Sequence, residues 1–249
     1  MIKNRLNEES YNNQGYKMKI IKYNNSEDIT VRFLDDFKYE VDTTYRRFKI
    51  GEVVNPYAKT VFGIGYIGLT NTCVNYKIKK SYTVWREMLR RCYDKSYEYK
   101  KLSYKNCTVC DEWLCYETFE RWFDENYYEC NDKLELDKDL KYKNNKVYSS
   151  ENCILIPYKI NNLFINCFKG NDNIGVSKRN DLKTKPFCAY ISINGKLKNL
   201  GYYKTKEEAQ SVYFEYKNKI LKEYITNYKK YLPTDIYNLL YSKINNGGL

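Results

Sequence analysis

The sequence predicts an α+β chain of several modules, on three observations. Short β-branched and aromatic runs fill residues 16–68, the apolar period becomes helical at Ser81, and beyond Asn173 three alternating runs precede one amphipathic helix. At 249 residues the chain can hold two or three small domains, each with a modest core.

Each element follows from its residues. Residues 1–15 are polar without periodicity, so a frayed lead-in is expected. MKIIKY, DITVRFL and YEVD, separated by Asn, Ser and Asp, predict an amino-terminal β-module over 16–68. FGIGYIG, Phe62 to Gly68, lacks the lysine and serine of a phosphate loop and is expected to be a turn and linker ending that module. From Ser81, Val84, Trp85, Met88, Leu89 and Cys92 share one helical face, and Tyr116, Phe119, Trp122 and Phe123 form a second stripe; both are expected to be core. LELDKDL alternates as a half-buried strand, KYKNNK is a turn, CILI is a second strand, and Pro157 opens a helix carrying Ile160, Leu163, Phe164 and Cys167. These belong to a central domain over 80–169.

The last folded unit is expected over 173–229. GVSKR, FCAYISI and KLKNLGYYK read as three antiparallel strands, the last two joined by an Asn194-Gly195 hairpin turn. Thr205-Lys-Glu-Glu208 is a capping box, and Ala209, Val212, Tyr213, Tyr216 and Ile220 mark the buried face of the helix it starts. Alternation turns Phe187, Ala189, Ile191 and Ile193 toward that helix and Cys188, Tyr190 and Ser192 away from it. Residues 230–249 are expected to be a tail, with a short helix after Pro233 and a loose Asn-Asn-Gly-Gly end.

The net charge of +12 points to a polyanionic partner, since phosphate neutralisation supplies most non-specific nucleic-acid affinity; solubility alone is the bland alternative. The excess is +4 over residues 1–79, +1 over 80–170, +6 over 171–229 and +1 over 230–249. The cations therefore sit in the flanks and the clustered acids in the middle. The 29 tyrosines accompany an excess of Lys, Asn and Ile that follows from an AT-rich gene, and carry little functional weight alone. No apolar run approaches the roughly 18 residues of a membrane span and nothing resembles a signal peptide, so no membrane partner and a cytoplasmic location are expected. Nine cysteines without a leader argue for free thiols or a metal site over a disulfide framework. Cys107 and Cys110 form a CxxC with zinc spacing, but no second pair follows, so buried thiols are the competing reading.

Residues 173–228, through GVSK, FCAYISINGK and LGYYKTKEEA, resemble an Apetala-two, or ethylene-response-factor, DNA-binding domain. The resemblance implies a sheet lying in the major groove of double-stranded DNA. Lys178, Arg179, Lys183, Lys185, Tyr190, Ser192, Lys196 and Lys198 are then the candidate contacts. This chain has Phe187 and mostly lysine where the family carries tryptophan and arginines, and lysine lacks arginine's planar fork for guanine.

Residues 80–168, through YTVWREMLRRCY, VCDEW, LELDKDL and VYSSENCILIPYKINN, resemble the central region of HNH homing-endonuclease-like proteins of phages and mobile elements, which implies a bacterial host cell. Carried over residue by residue, the family's Asp-His pair falls on Asp137-Lys138, its middle residue on Asn152 and its helical residue on Asn161 or Asn162. Asp137, Lys138, Asn152 and Asn161 are therefore the candidate catalytic residues. The chain contains no histidine. A lysine titrates near 10.4 and cannot replace the histidine base at neutral pH. A magnesium ion on Asp137 and Asp139, with Glu135 in reach, would acidify a bound water and offers one route to hydrolysis. The alternative readings are a nuclease-like fold kept for DNA binding, an inhibitor directed at a host defence protein, and for the acids a plain hairpin edge paired with lysines. Near the amino terminus, Arg46 and Arg47 of the basic YRR run are candidate phosphate contacts.

Overall fold

The computed structural model describes residues 4–96, 104–165 and 175–245. They form an α+β protein that divides into two compact units, residues 1–124 and 125–249.

In the first unit, β1 (Glu9–Tyr11), β2 (Lys17–Asn25), β3 (Asp28–Phe33) and β4 (Glu40–Thr43) form an antiparallel meander in that order. Alternation buries Met18, Ile20, Ile29, Val31 and Phe33 on one face and leaves the basic residues of β2 and β3 on the other. Phe48 of the short helix α1 (Tyr45–Lys49) and Val53 complete this core. Within the segment expected to fray, residues 4–15 are ordered by pairing and side-chain bonds. Glu9–Tyr11 pairs with Lys17–Lys19, and Glu8 receives hydrogen bonds from Tyr45 and Lys49 while Arg5 bonds both Glu8 and Tyr45. Buried Asn12 accepts the backbone N–H groups of Gln14 and Tyr16 and donates to the Val53 carbonyl. Long-range polar bonds order a stretch that has no hydrophobic period.

Nor is the Phe62–Gly68 stretch a plain linker. The Tyr66 N–H donates to the Leu114 carbonyl, and Tyr66 and Ile67 carbonyls accept from Tyr116 and Glu117. A Cβ on Gly65 would run into Leu89 and Trp85, so glycine permits this close approach. A small hairpin, β5 (Cys73–Val74) and β6 (Lys77–Ile78), leads into α2 (Lys80–Tyr93). A short strand, β7 (Thr108–Val109), and a single 3-10 turn precede α3 (Tyr116–Asn126). Both predicted stripes are core: Trp85, Met88 and Leu89 of α2 are buried, as are Tyr116, Phe119 and Phe123 of α3. The buried Glu120 carboxylate accepts from Thr70, Lys79 and Tyr116 at 2.6–2.8 Å.

In the second unit, β8 (Leu134–Asp137) pairs antiparallel with β10 (Ile154–Pro157); the loop between them holds the short β9 (Val147–Tyr148), and α4 (Tyr158–Ile165) follows directly. Cys167 lies outside the described residues. β11 (Val176–Lys178), β12 (Phe187–Ile193) and β13 (Lys196–Tyr203) form a three-stranded antiparallel sheet packed on α5 (Lys206–Tyr228), whose N-terminus carries the predicted capping box of Thr205 and Glu208. The helix expected after Pro233 is α6 (Thr234–Asn245); it buries Ile236, Leu240 and Ile244, so this part of the expected tail belongs to the core, and residues 246–249 at the Asn-Asn-Gly-Gly end lie outside the described residues.

The separation expected at residues 169–173 does not mark separate cores. Ile160, Leu163 and Phe164 of α4 share one apolar cluster with Ile191 of β12, Tyr213, Leu221 and Ile225 of α5, and Leu240 of α6. The unit boundary falls instead inside α3, within the 80–169 span read as one domain. No described helix is long and apolar enough to cross a membrane.

Candidate functional site

The loop after β8 gathers most of the candidate catalytic residues and binds them to one another. Asp137 is only 8% exposed; its Oδ1 accepts the backbone N–H groups of Asp139 at 2.9 Å and Leu140 at 2.7 Å, which turns the chain sharply at the strand end. Burial pushes its carboxyl above the ordinary value, with the Asp139 charge adding to the rise and the two N–H bonds opposing it. Lys138 is 4% exposed, and its Nζ donates to Asp139 Oδ1 at 2.7 Å, Asp139 Oδ2 at 2.8 Å and the Asn145 carbonyl at 2.7 Å. Those three bonds use every proton an ammonium has.

Asn145, in a stretch the sequence shows only as a turn, is the other half of the latch. Its Nδ2 donates to the carbonyls of Lys138 and Val147, and its Oδ1 accepts from the Val147 N–H. Asn152 closes the same loop, with Nδ2 3.4 Å from Asn145 Oδ1 and 3.3 Å from the Val147 carbonyl, and its N–H on the Ser149 hydroxyl. Asn161 is placed elsewhere: it is 3% exposed on α4, its Nδ2 donates to Glu135 Oε2 at 3.1 Å, and its Oδ1 has no hydrogen-bond partner among the described residues.

This donor set does not fit a magnesium ion. Both Asp139 oxygens are held by an ammonium that already neutralises them, and a divalent cation there would face that ammonium across a few ångströms. Asp137 offers one oxygen engaged by backbone donors and sits where burial disfavours its charge. Among the described residues no three acidic, cysteine or histidine side chains converge as a cation site. At the CxxC, Cys107 is buried and burial pushes the half-buried Cys110 thiol up to about 11.

The carboxyl-terminal sheet has two unlike faces. Phe187, Ala189, Ile191 and Ile193 turn toward α5, as alternation predicts. The register places Lys196 opposite Ile193, Lys198 opposite Ile191 and Lys178 opposite Phe187, so these three lysines rise from the helix side and lie at the sheet's margins. Lys198 donates to the Tyr216 hydroxyl of α5 at 2.7 Å. The other face carries Ser177, Cys188, Tyr190, Ser192, Leu197, Asn199 and Tyr202, of which Leu197 is 71% exposed. Cys188 is buried despite its outward position.

Tyr202 reaches this face through a β-bulge. The hairpin turn pairs Tyr190 with Asn199, but the register then shifts, Ala189 pairs with Gly201, and Leu200 is the extra residue. Had the register continued past Asn199 without that shift, Tyr202 would lie opposite Phe187, on the helix side. Gly201 carries the bulge at φ +129°, a conformation that other residues rarely adopt. The loop between β11 and β12 supplies exposed Lys183 and Lys185, with Arg179 forked onto Asp181 through two 3.0 Å hydrogen bonds. In the other unit, Arg46 and Arg47 are exposed on α1, Arg47 donating to the Glu52 carbonyl.

No family model, curated protein or solved structure matches the chain.

Proposed function

We propose that the protein binds duplex DNA through the outer face of the β11–β12–β13 sheet, and that its central β8–β10 loop is held for shape and not for phosphodiester hydrolysis. The observation that carries this reading is the outer face, exposed at Ser192, Asn199 and Tyr202 with half-buried Tyr190 among them, together with the exposed loop cations Lys183 and Lys185 and with Lys178 and Lys196, which rise from the helix side, at the sheet's margins. Such a division, cations at the rim and neutral hydrogen-bonding side chains at the centre, suits phosphate anchoring with base contacts between. The self-contained bonding of Asp137, Lys138, Asp139 and Asn152 supports the binding reading over a magnesium nuclease.

A single pair of assays tests it. Incubation with supercoiled plasmid and magnesium is expected to leave the plasmid closed, while a gel shift with linear duplex shows retention that weakens as salt rises. Lys183→Glu with Lys185→Glu should flatten the slope of log affinity against log salt by up to about 2. Nicking that Asp137→Ala abolishes would restore the nuclease reading. Neither nicking nor retention would move the reading to a protein partner such as a host defence factor.

A further inference from the structure

The β5–β6 hairpin buries neither of its faces. Cys73 pairs with Ile78 and Val74 with Lys77, and all four residues are exposed. Asn75 and Tyr76 form the turn, both with left-handed backbone, at φ 49° and 60°. Asparagine suits such a turn, but its second position is ordinarily glycine's, because a Cβ is crowded there. Tyr76 is nevertheless a large residue, and its relative exposure is 105%. The hairpin's base is firm: the Lys79 N–H donates to the Thr72 carbonyl, and Lys79 Nζ and the Thr70 hydroxyl both donate to the buried Glu120 carboxylate. A strained aromatic residue held on a fixed stem and touching no core is a feature that folding does not explain.

Charge and size identify what it would meet. Residues 53–86 contain no Asp or Glu and carry Lys59, Lys77, Lys80 and Arg86 besides Lys79, which Glu120 pairs, so the stretch that bears the tip is cationic in sequence while its stem is tied to Glu117 and Glu120. Its apolar surface is one ring flanked by Val74 and Ile78, far short of the roughly 1,000 Å² that a specific protein interface needs, whereas a single wedged side chain suffices to open a base step. We infer that the hairpin is a base-stacking finger, with Tyr76 entering a base step of duplex DNA and Lys77 beside it on the phosphates. This inference rests on the DNA-binding reading above and adds a second contact to it, on the other compact unit.

The test uses the full chain, an AT-rich linear duplex and permanganate, which oxidises thymines only where they are unstacked. The wild type is expected to retain the duplex and expose reactive thymines. Tyr76→Gly should melt about 2–4 °C higher, because the turn is relieved of its crowded Cβ, yet lose the reactive thymines and bind about tenfold more weakly. Tyr76→Phe keeps the ring and should keep both properties. Retention by the wild type without reactive thymines, or equal binding and reactivity in Tyr76→Gly, overturns the finger while the sheet reading stands. Failure of the wild type to retain duplex at low salt overturns both, as does binding of single strands alone. A self-association that Tyr76→Gly abolishes while its duplex binding persists also overturns the finger and assigns the ring to a second copy.

Discussion

Lys138 shows how one side chain can decide what a loop is for. Its ammonium sits on both oxygens of Asp139 and on the Asn145 carbonyl, so truncation leaves a carboxylate and a carbonyl without their donor. Lys138→Met is expected to lower unfolding free energy by about 2–4 kcal/mol in urea titration, toward the low end because Asp139 keeps a third of its side-chain surface. Asp137 makes a prediction of the opposite kind. Its folded-state pKa is raised, mainly by burial, so its favourable contribution is whole below the unfolded value of about 3.8 and is lost as pH rises through the folded value. Asp137→Asn keeps an oxygen for the two N–H donors and removes the ionisation. Its urea midpoint should therefore gain on that of the wild type between pH 4 and pH 7; a constant difference would show that ionisation does not matter there. The sequence made Asp137, Lys138 and Asp139 visible as a cluster, but not that Lys138 folds back onto its neighbour. That depends on Asn145, seven residues away, and distance along a turn carries no such information.

At the level of the element, local chemistry was a good guide wherever one residue type dictates geometry. Asn194-Gly195 fixed the β12–β13 turn, FCAYISI alternated as read, and Thr205 with Glu208 capped α5 where expected. Thr205→Ala should cost about 1 kcal/mol, measurable as a lower thermal midpoint. What no local pattern announced was the extra residue at Leu200, and with it the exchange of Tyr202 and Tyr203 between faces. Gly201 is its sole compositional trace. Gly201→Ala places a Cβ in a glycine conformation and against the Tyr203 hydroxyl, and should cost about 1–3 kcal/mol in chemical denaturation. Lys217 escaped the reading too: it lies on the buried face of α5 between Tyr213 and Leu221, wholly inaccessible, where the helical period alone would have placed an apolar residue. The amino-terminal strand was missed because its ties, Asn12 to Val53 and Glu8 to Tyr45 and Lys49, join positions some forty residues apart.

For the whole molecule, composition indicated modules and packing joined them differently. The stretch separating the two expected carboxyl-side domains interrupts hydrophobic periodicity, which suggests a boundary, yet α4 and α5 contribute to the same apolar cluster. A fragment of residues 173–249 would remove Ile160, Leu163 and Phe164 from the apolar cluster that holds Leu221 and Ile225. It is expected to melt without cooperativity by circular dichroism, whereas a fragment of residues 125–249 should melt as one transition. Equal cooperativity in both fragments would show that α4 is dispensable.

That common interior also limits how such a chain can be re-engineered. Exchanging the sheet and its helix for those of another protein, in order to redirect what is read, would strip the apolar side of α4 of its lining. A viable chimera would have to carry α4 and the β8–β10 hairpin along with the transplanted part, so that the unit of exchange is the entire carboxyl-terminal half.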